Sequence, residues 1–137
     1  MIPDPFDLDP RLAADGPPVA ELKLCHVRLV ADARFFWLML VPRRPGVTEI
    51  IDLSPADRAL LMEEIATVSQ VLKELSGCAK LNVAALGNVV PQLHVHIVAR
   101  NLDDAAWPGP VFGAGTRAQM PFEMRHERVA LLRARLR

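Results

Sequence analysis

Gln92, His94 and His96 are the residues whose types and spacing could do chemistry together, because they alternate with Leu93, Val95 and Ile97. Alternation at period two marks a strand with two different faces, so the amide and both imidazoles point the same way, roughly 7 Å apart at two residues' rise each. A row of two imidazoles has three uses. Each ring can be a half-buried polar group that satisfies its neighbours, the common fate of a lone histidine. The pair can begin a metal site, but zinc needs a third and usually a fourth ligand. His26 and His126, the remaining histidines, have no second ligand-type residue at a ligand spacing beside them. A metal-dependent hydrolase using His-x-His is therefore an alternative, and the expectation is no metal and no cofactor. The third use is nucleophilic catalysis at phosphorus. A neutral imidazole whose Nδ1–H donates to a backbone carbonyl keeps Nε2 free to attack. A second imidazole two residues on can hold a phosphate oxygen or protonate the leaving group. Gly87, Asn88, Val89 and Val90 lie just before the strand, where backbone N–H groups would take the remaining charge.

The chain that positions this row has 137 residues, the size of one domain with a substantial core. Hydrophobic residues make up 51% and charged residues 23%, and the formal net charge is zero, so no strong field for nucleic acid or membrane exists. Neither a membrane nor a specific nucleic-acid partner is expected. Cys25 and Cys78 form no CxxC or metal-like cluster and read as reduced thiols. The N-terminus lacks the basic and apolar regions of a secretory signal, and the longest apolar run, Phe35 to Val41, is far short of the roughly 20 residues that cross a bilayer. A cytoplasmic location is the expectation.

Residues 1–20, rich in proline and aspartate, read as an irregular arm with a short turn at Pro10–Ala14. Leu22 to Val30 reads as a strand and Phe35 to Val41 as a second, covered on both faces; Ala31–Arg34 makes them a hairpin. Val47–Leu53 is a candidate edge strand. A helix opens with Ser54 as N-cap, Pro55 in the first helical position and Asp57 in the first turn. Leu61, Ile65, Val68, Leu72 and Leu75 give it an apolar stripe, and Gly77 closes it. Lys80–Leu86 and Gln92–Arg100 read as an antiparallel pair. Residues 107–121, with their prolines and glycines, read as a long loop, a candidate lid or partner contact; Phe122–Arg137 reads as a terminal helix.

Gln92-Leu93-His94-Val95-His96-Ile97-Val98 resembles the signature of the histidine-triad (HIT) family, His-φ-His-φ-His-φ-φ with φ apolar, its first histidine replaced by Gln92. Leu38-Met39-Leu40-Val41-Pro42-Arg43-Arg44 is similar to the family's apolar strand ending in proline and basic residues, and Trp107-Pro108 to a pair that follows the triad in one branch. The form with glutamine resembles a bacterial subgroup. The resemblance implies an α+β fold, a HIT-like antiparallel sheet of about five strands with one long helix packed on it and a C-terminal helix. The HIT-like domain would span 21–110, with 111–137 as loop and helix of the same domain. It implies a nucleotide hydrolase or nucleotidyl transferase acting on dinucleoside polyphosphates or nucleoside phosphoramidates, as a homodimer whose two sheets continue into one. By position, His94 would form the nucleotidyl-histidine intermediate and His96 would contact phosphate and leaving group. Gln92 would support the site by hydrogen bonds; Asn82, Gly87, Asn88 and Val89 would line the phosphate pocket; Asp32 would approach a ribose. Gln92 can donate and accept but cannot titrate, so a nucleotide-binding module without catalysis is the alternative from another class.

Overall fold

The computed structural model describes residues 6–136. Residues 1–5 of the expected arm and Arg137 of the expected tail lie outside the described residues. Five antiparallel strands, β1 (Pro18–Glu21), β2 (Cys25–Leu29), β3 (Phe36–Pro42), β4 (Lys80–Ala84) and β5 (Val95–Arg100), form one sheet in the order β1-β2-β3-β5-β4. Three helices accompany it: α1 (Pro10–Ala13), α2 (Pro55–Ser76) and α3 (Phe122–Arg135). This is the α+β architecture expected.

The helix grammar of α2 operates as read. Ser54 accepts from the Asp57 N–H, Pro55 opens the helix, and Gly77 ends it at φ 65°, a left-handed conformation that costs a side chain little only in glycine. Leu61, Val68 and Leu72 of α2 and Val129 and Leu132 of α3 pack on one sheet face, against Val27, Leu38, Leu40, Val95 and Ile97. The other face carries Trp37, Met39, Val41 and Val98, covered by Leu12, Phe35, Val90 and Val111. Helices close the first face, and loops with α1 close the second.

Four expectations are corrected. The strand expected from Leu22 begins only at Cys25, because Glu64, buried on α2, accepts the Leu24 and Cys25 N–H groups at 2.9 and 2.8 Å where the chain turns between β1 and β2. Pro18–Glu21 and Pro10–Ala13 thus take regular structure where an irregular arm was expected. Val47–Leu53 holds a 3₁₀ turn at Ile50–Asp52 in place of an edge strand, with Asp52 accepting from the Thr48 and Glu49 N–H groups. The ladder of β5 begins at Val95, so Gln92 and His94 precede it, and Leu93 N–H donates to the Val47 carbonyl instead.

Candidate functional site

β5 still sorts its residues by parity. Leu93, Val95, Ile97 and Ala99 belong to the helix-covered core, while His96 and Arg100 emerge on the opposite face, with His96 registered against Met39 of β3 and Ala84 of β4. His94 and His96 are both buried, their ring centroids 4.9 Å apart in an edge-to-face arrangement. Both line a cavity of about 530 Å³ together with Asp32, Trp37, Phe112 and Arg117. His94 also borders a second cavity of about 530 Å³, which runs past Gly87, Asn88 and Pro91 to Glu49 and Ile50.

The two rings are fixed as opposite tautomers. His94 Nδ1 lies 2.7 Å from the Gln92 carbonyl oxygen, which can only accept, so Nδ1 carries the proton and Nε2 keeps its lone pair. His96 Nδ1 lies 2.9 Å from Trp37 Nε1, and an indole N–H can only donate, so Nδ1 is the acceptor and the neutral ring holds its proton on Nε2. Burial, with the charges of His94 and Arg117 nearby, lowers the His96 pKa to about 4. With both rings neutral, the row therefore offers one nucleophilic nitrogen on His94 and one hydrogen-bond donor on His96.

Gln92 does not reach His94 with its side chain. Its Oε1 accepts the Asp9 N–H at 2.9 Å and its Nε2 donates to the Asp7 carbonyl at 2.8 Å. The amide thus pairs with the backbone on either side of Leu8 as a neighbouring strand would. Its backbone carbonyl orients His94, and its side chain docks the N-terminal segment. Asn82 is not among the residues lining either cavity that His94 borders; its Oδ1 accepts from Arg100 Nη1 at 2.7 Å. Arg100, fully buried, also donates to both Asp104 carboxylate oxygens and to the Gly109 carbonyl. Those bonds hold the Asp104 carboxyl far below its usual range.

Asn88 and Val89 line the cavity; the Val89 side chain is exposed, and its carbonyl accepts from Arg11 Nη1 at 3.1 Å. Gly87 lets the loop pass close to the site: a Cβ there would stand 3.0 Å from the Val90 oxygen and 3.9 Å from His94 Cε1. Asp32 lines the cavity with its carboxylate already engaged, accepting from Arg34 Nε and Nη2 and from the Arg34 and Ala118 N–H groups. Burial alone would raise its pKa, but these bonds outweigh burial and lower it.

Trp37, Phe112, Arg11 and Arg117 escape a sequence reading of the site. Trp37 was detectable in principle, since it shares parity with Met39 in a doubly covered strand and a buried indole N–H requires an acceptor. The others come from segments remote in sequence. Among the described residues, no group of three or more His, Cys, Asp or Glu is placed to hold a metal ion, and none of the helices is long and apolar enough to cross a membrane.

The fold and site define an α+β domain with a paired-histidine cleft at the start of a central strand. The HIT domain family matches residues 13–102, and the chain belongs to that family. It is similar over 98% of its length to a histidine triad protein from Bradyrhizobium japonicum, 46% identical and wholly covered, with a TM-score of 0.95. Proteins of the same description from Sinorhizobium meliloti (44% identity, TM-score 0.92, 96% of this chain and 97% of that one) and Marinobacter aquaeolei (41%, 0.93, 97% of each) are comparably close. No match was found among curated proteins. The family includes nucleotide hydrolases and transferases.

Proposed function

We propose that this protein is a nucleotide hydrolase or nucleotidyl transferase that works through a nucleotidyl-His94 intermediate. The observation that carries the reading is the tautomer pair. His94 Nε2, freed by the bond from Nδ1 to the Gln92 carbonyl, attacks a nucleoside-bound phosphorus; the P–N bond forms as the bond to the leaving group breaks. His96, fixed by Trp37, presents Nε2–H to a phosphate oxygen or to the leaving group. Water or another acceptor then takes the nucleotidyl group from His94, which regains its lone pair. Dinucleoside polyphosphates and nucleoside phosphoramidates are the substrate classes of this reading, in the cytoplasm and without a metal.

The protein acts as a homodimer on this reading, with β4 as the joining element. β4 is an outer strand of the sheet, and Val83 on it and Leu86 just beyond are exposed apolar residues at an unpaired edge. Asn82 then supports the site through Arg100 and not by touching phosphate.

A binding module without turnover is the second reading, favoured by one observation: the Gln92 amide is spent on the Asp7 and Asp9 backbone and gives His94 no side-chain support. Intact-protein mass spectrometry after mixing with an adenosine phosphoramidate or a dinucleoside polyphosphate separates the two. A nucleotidyl adduct on His94, absent in His94→Ala, is the expected result. Saturable nucleotide binding with neither adduct nor product would leave the module and remove the enzyme.

A further inference from the structure

The cavity beside His94 and His96 must offset a phosphate's negative charge, yet the histidine row supplies no fixed cation. Gln92 cannot titrate, and His96 can become cationic at Nδ1 only by giving up the Trp37 hydrogen bond. Three guanidinium groups line the cavity: Arg11, Arg34 and Arg117. Arg11 is committed, with Nε and Nη2 on Asp9 and Nη1 on the Val89 carbonyl. Arg34 is committed as fully, with Nε and Nη2 on Asp32 and Nη1 on the Ala114 carbonyl. Arg117 differs. Among the described residues its one polar side-chain contact is Nη1 to Asp15 Oδ1 at 3.2 Å, its side chain is 46% exposed, and its guanidinium stands 5.4 Å from the centroid of Trp37, the residue that fixes His96.

The backbone that delivers Arg117 is pinned on both sides. The Ala114 carbonyl accepts from Arg34; the Ala118 N–H donates to Asp32 and its carbonyl accepts from Ala33. Gly113 and Gly115, at φ 74° and 57°, allow the intervening turn. A rigidly anchored loop thus extends one flexible, weakly held cation to the wall of the cavity.

On the nucleotide reading above, we propose that Arg117 is the substrate-binding cation of this site: it pairs with the substrate's phosphate, and the phosphate displaces Asp15 from it. Arg117 selects phosphate-bearing ligands over neutral nucleosides, and Asp15 competes with them. A guanidinium–phosphate pair in a partly closed site is among the stronger hydrogen-bonded contacts a protein makes.

Calorimetric titration with adenosine monophosphate and with adenosine tests this, each variant being checked for native melting. Arg117→Gln should weaken the monophosphate by about ten-fold or more and leave adenosine unchanged, and Arg117→Lys should retain part of the affinity. Asp15→Asn should tighten the monophosphate, and that gain should vanish in the Asp15→Asn/Arg117→Gln double variant, whereas a general change of field would persist there. Arg125→Gln, an exposed charge on α3, should change neither ligand. Equal monophosphate affinity in wild type and Arg117→Gln, or a gain from Asp15→Asn that survives in the double variant, would overturn the assignment while leaving the nucleotide reading intact. Failure of the wild-type protein to bind the monophosphate would remove both.

Discussion

The two faces of the sheet are built from the same strands by opposite means. On the helix-covered face, Leu38, Leu40, Val95 and Ile97 meet apolar side chains of α2 and α3, and the interaction needs only volume and burial. On the loop-covered face, Asp32, His94, His96 and Arg100 are buried too, and each is held by named donors and acceptors. Among the described residues, no buried side-chain nitrogen or oxygen lacks a partner. Apart from Glu64, which takes the Leu24 and Cys25 N–H groups, the first face supplies stability without direction. The second converts that stability into fixed tautomers and aimed charges, so a change there should cost function before it costs the fold.

The sharpest test of that division is His94→Ala, which should lower nucleotide release on the order of 10³-fold or more in a steady-state assay while thermal unfolding scarcely moves. Comparable losses of rate and stability would break the comparison. Ile97→Ala, one residue from His96 but on the other face, should do the reverse. It costs about 2–5 kcal/mol by denaturant titration, with turnover per folded molecule retained.

Acid should expose the second face next. Because the folded His96 value, about 4, lies below the ordinary one, the unfolded chain takes up the proton first as pH falls. The stability this ring contributes is present above about pH 6.5 and is lost as pH drops toward 4, a change on the order of 3 kcal/mol. Unfolding measured from pH 7 to 4 should show it, and His96→Gln should flatten the slope. In Trp37→Phe the ring loses the donor that keeps Nδ1 unprotonated, so the midpoint of its NMR titration should rise; an unchanged midpoint would remove Trp37 from the account. Smallest is Gln92→Ala, which deletes two hydrogen bonds to residues 7–9 at a net cost of about 1–2 kcal/mol. Hydrogen exchange at the Asp9 amide should quicken while His94 still forms its adduct.

The sequence made the first face more legible than the second, for a physical reason. Alternation through β5 and the Ser54–Gly77 signals of α2 are local, and they survive because burial on one face enforces them. The tautomer of His94 was also within reach, since it needs only the carbonyl two residues back. What stayed hidden depends on partners distant in the chain. Glu64 shortens the expected Leu22–Val30 strand at its start from 40 residues away, and Gln92 finds its partners 83 and 85 residues upstream. Asn82 carries no local sign that Arg100, 18 residues on, already occupies it.

Trp37 has an optical consequence. Its indole is hydrogen-bonded to one member of the histidine pair, lies edge-on to Phe112 with ring centroids 5.7 Å apart, and stands under Arg117, so whatever enters the cavity alters its surroundings. The second indole, Trp107, rests 5.6 Å from the Arg100 guanidinium and is not among the residues lining that cavity. Emission from Trp37 is therefore a built-in occupancy signal, with Trp107 as a steady background that Trp107→Phe would remove. Filling and emptying of the site can be followed in real time without a label.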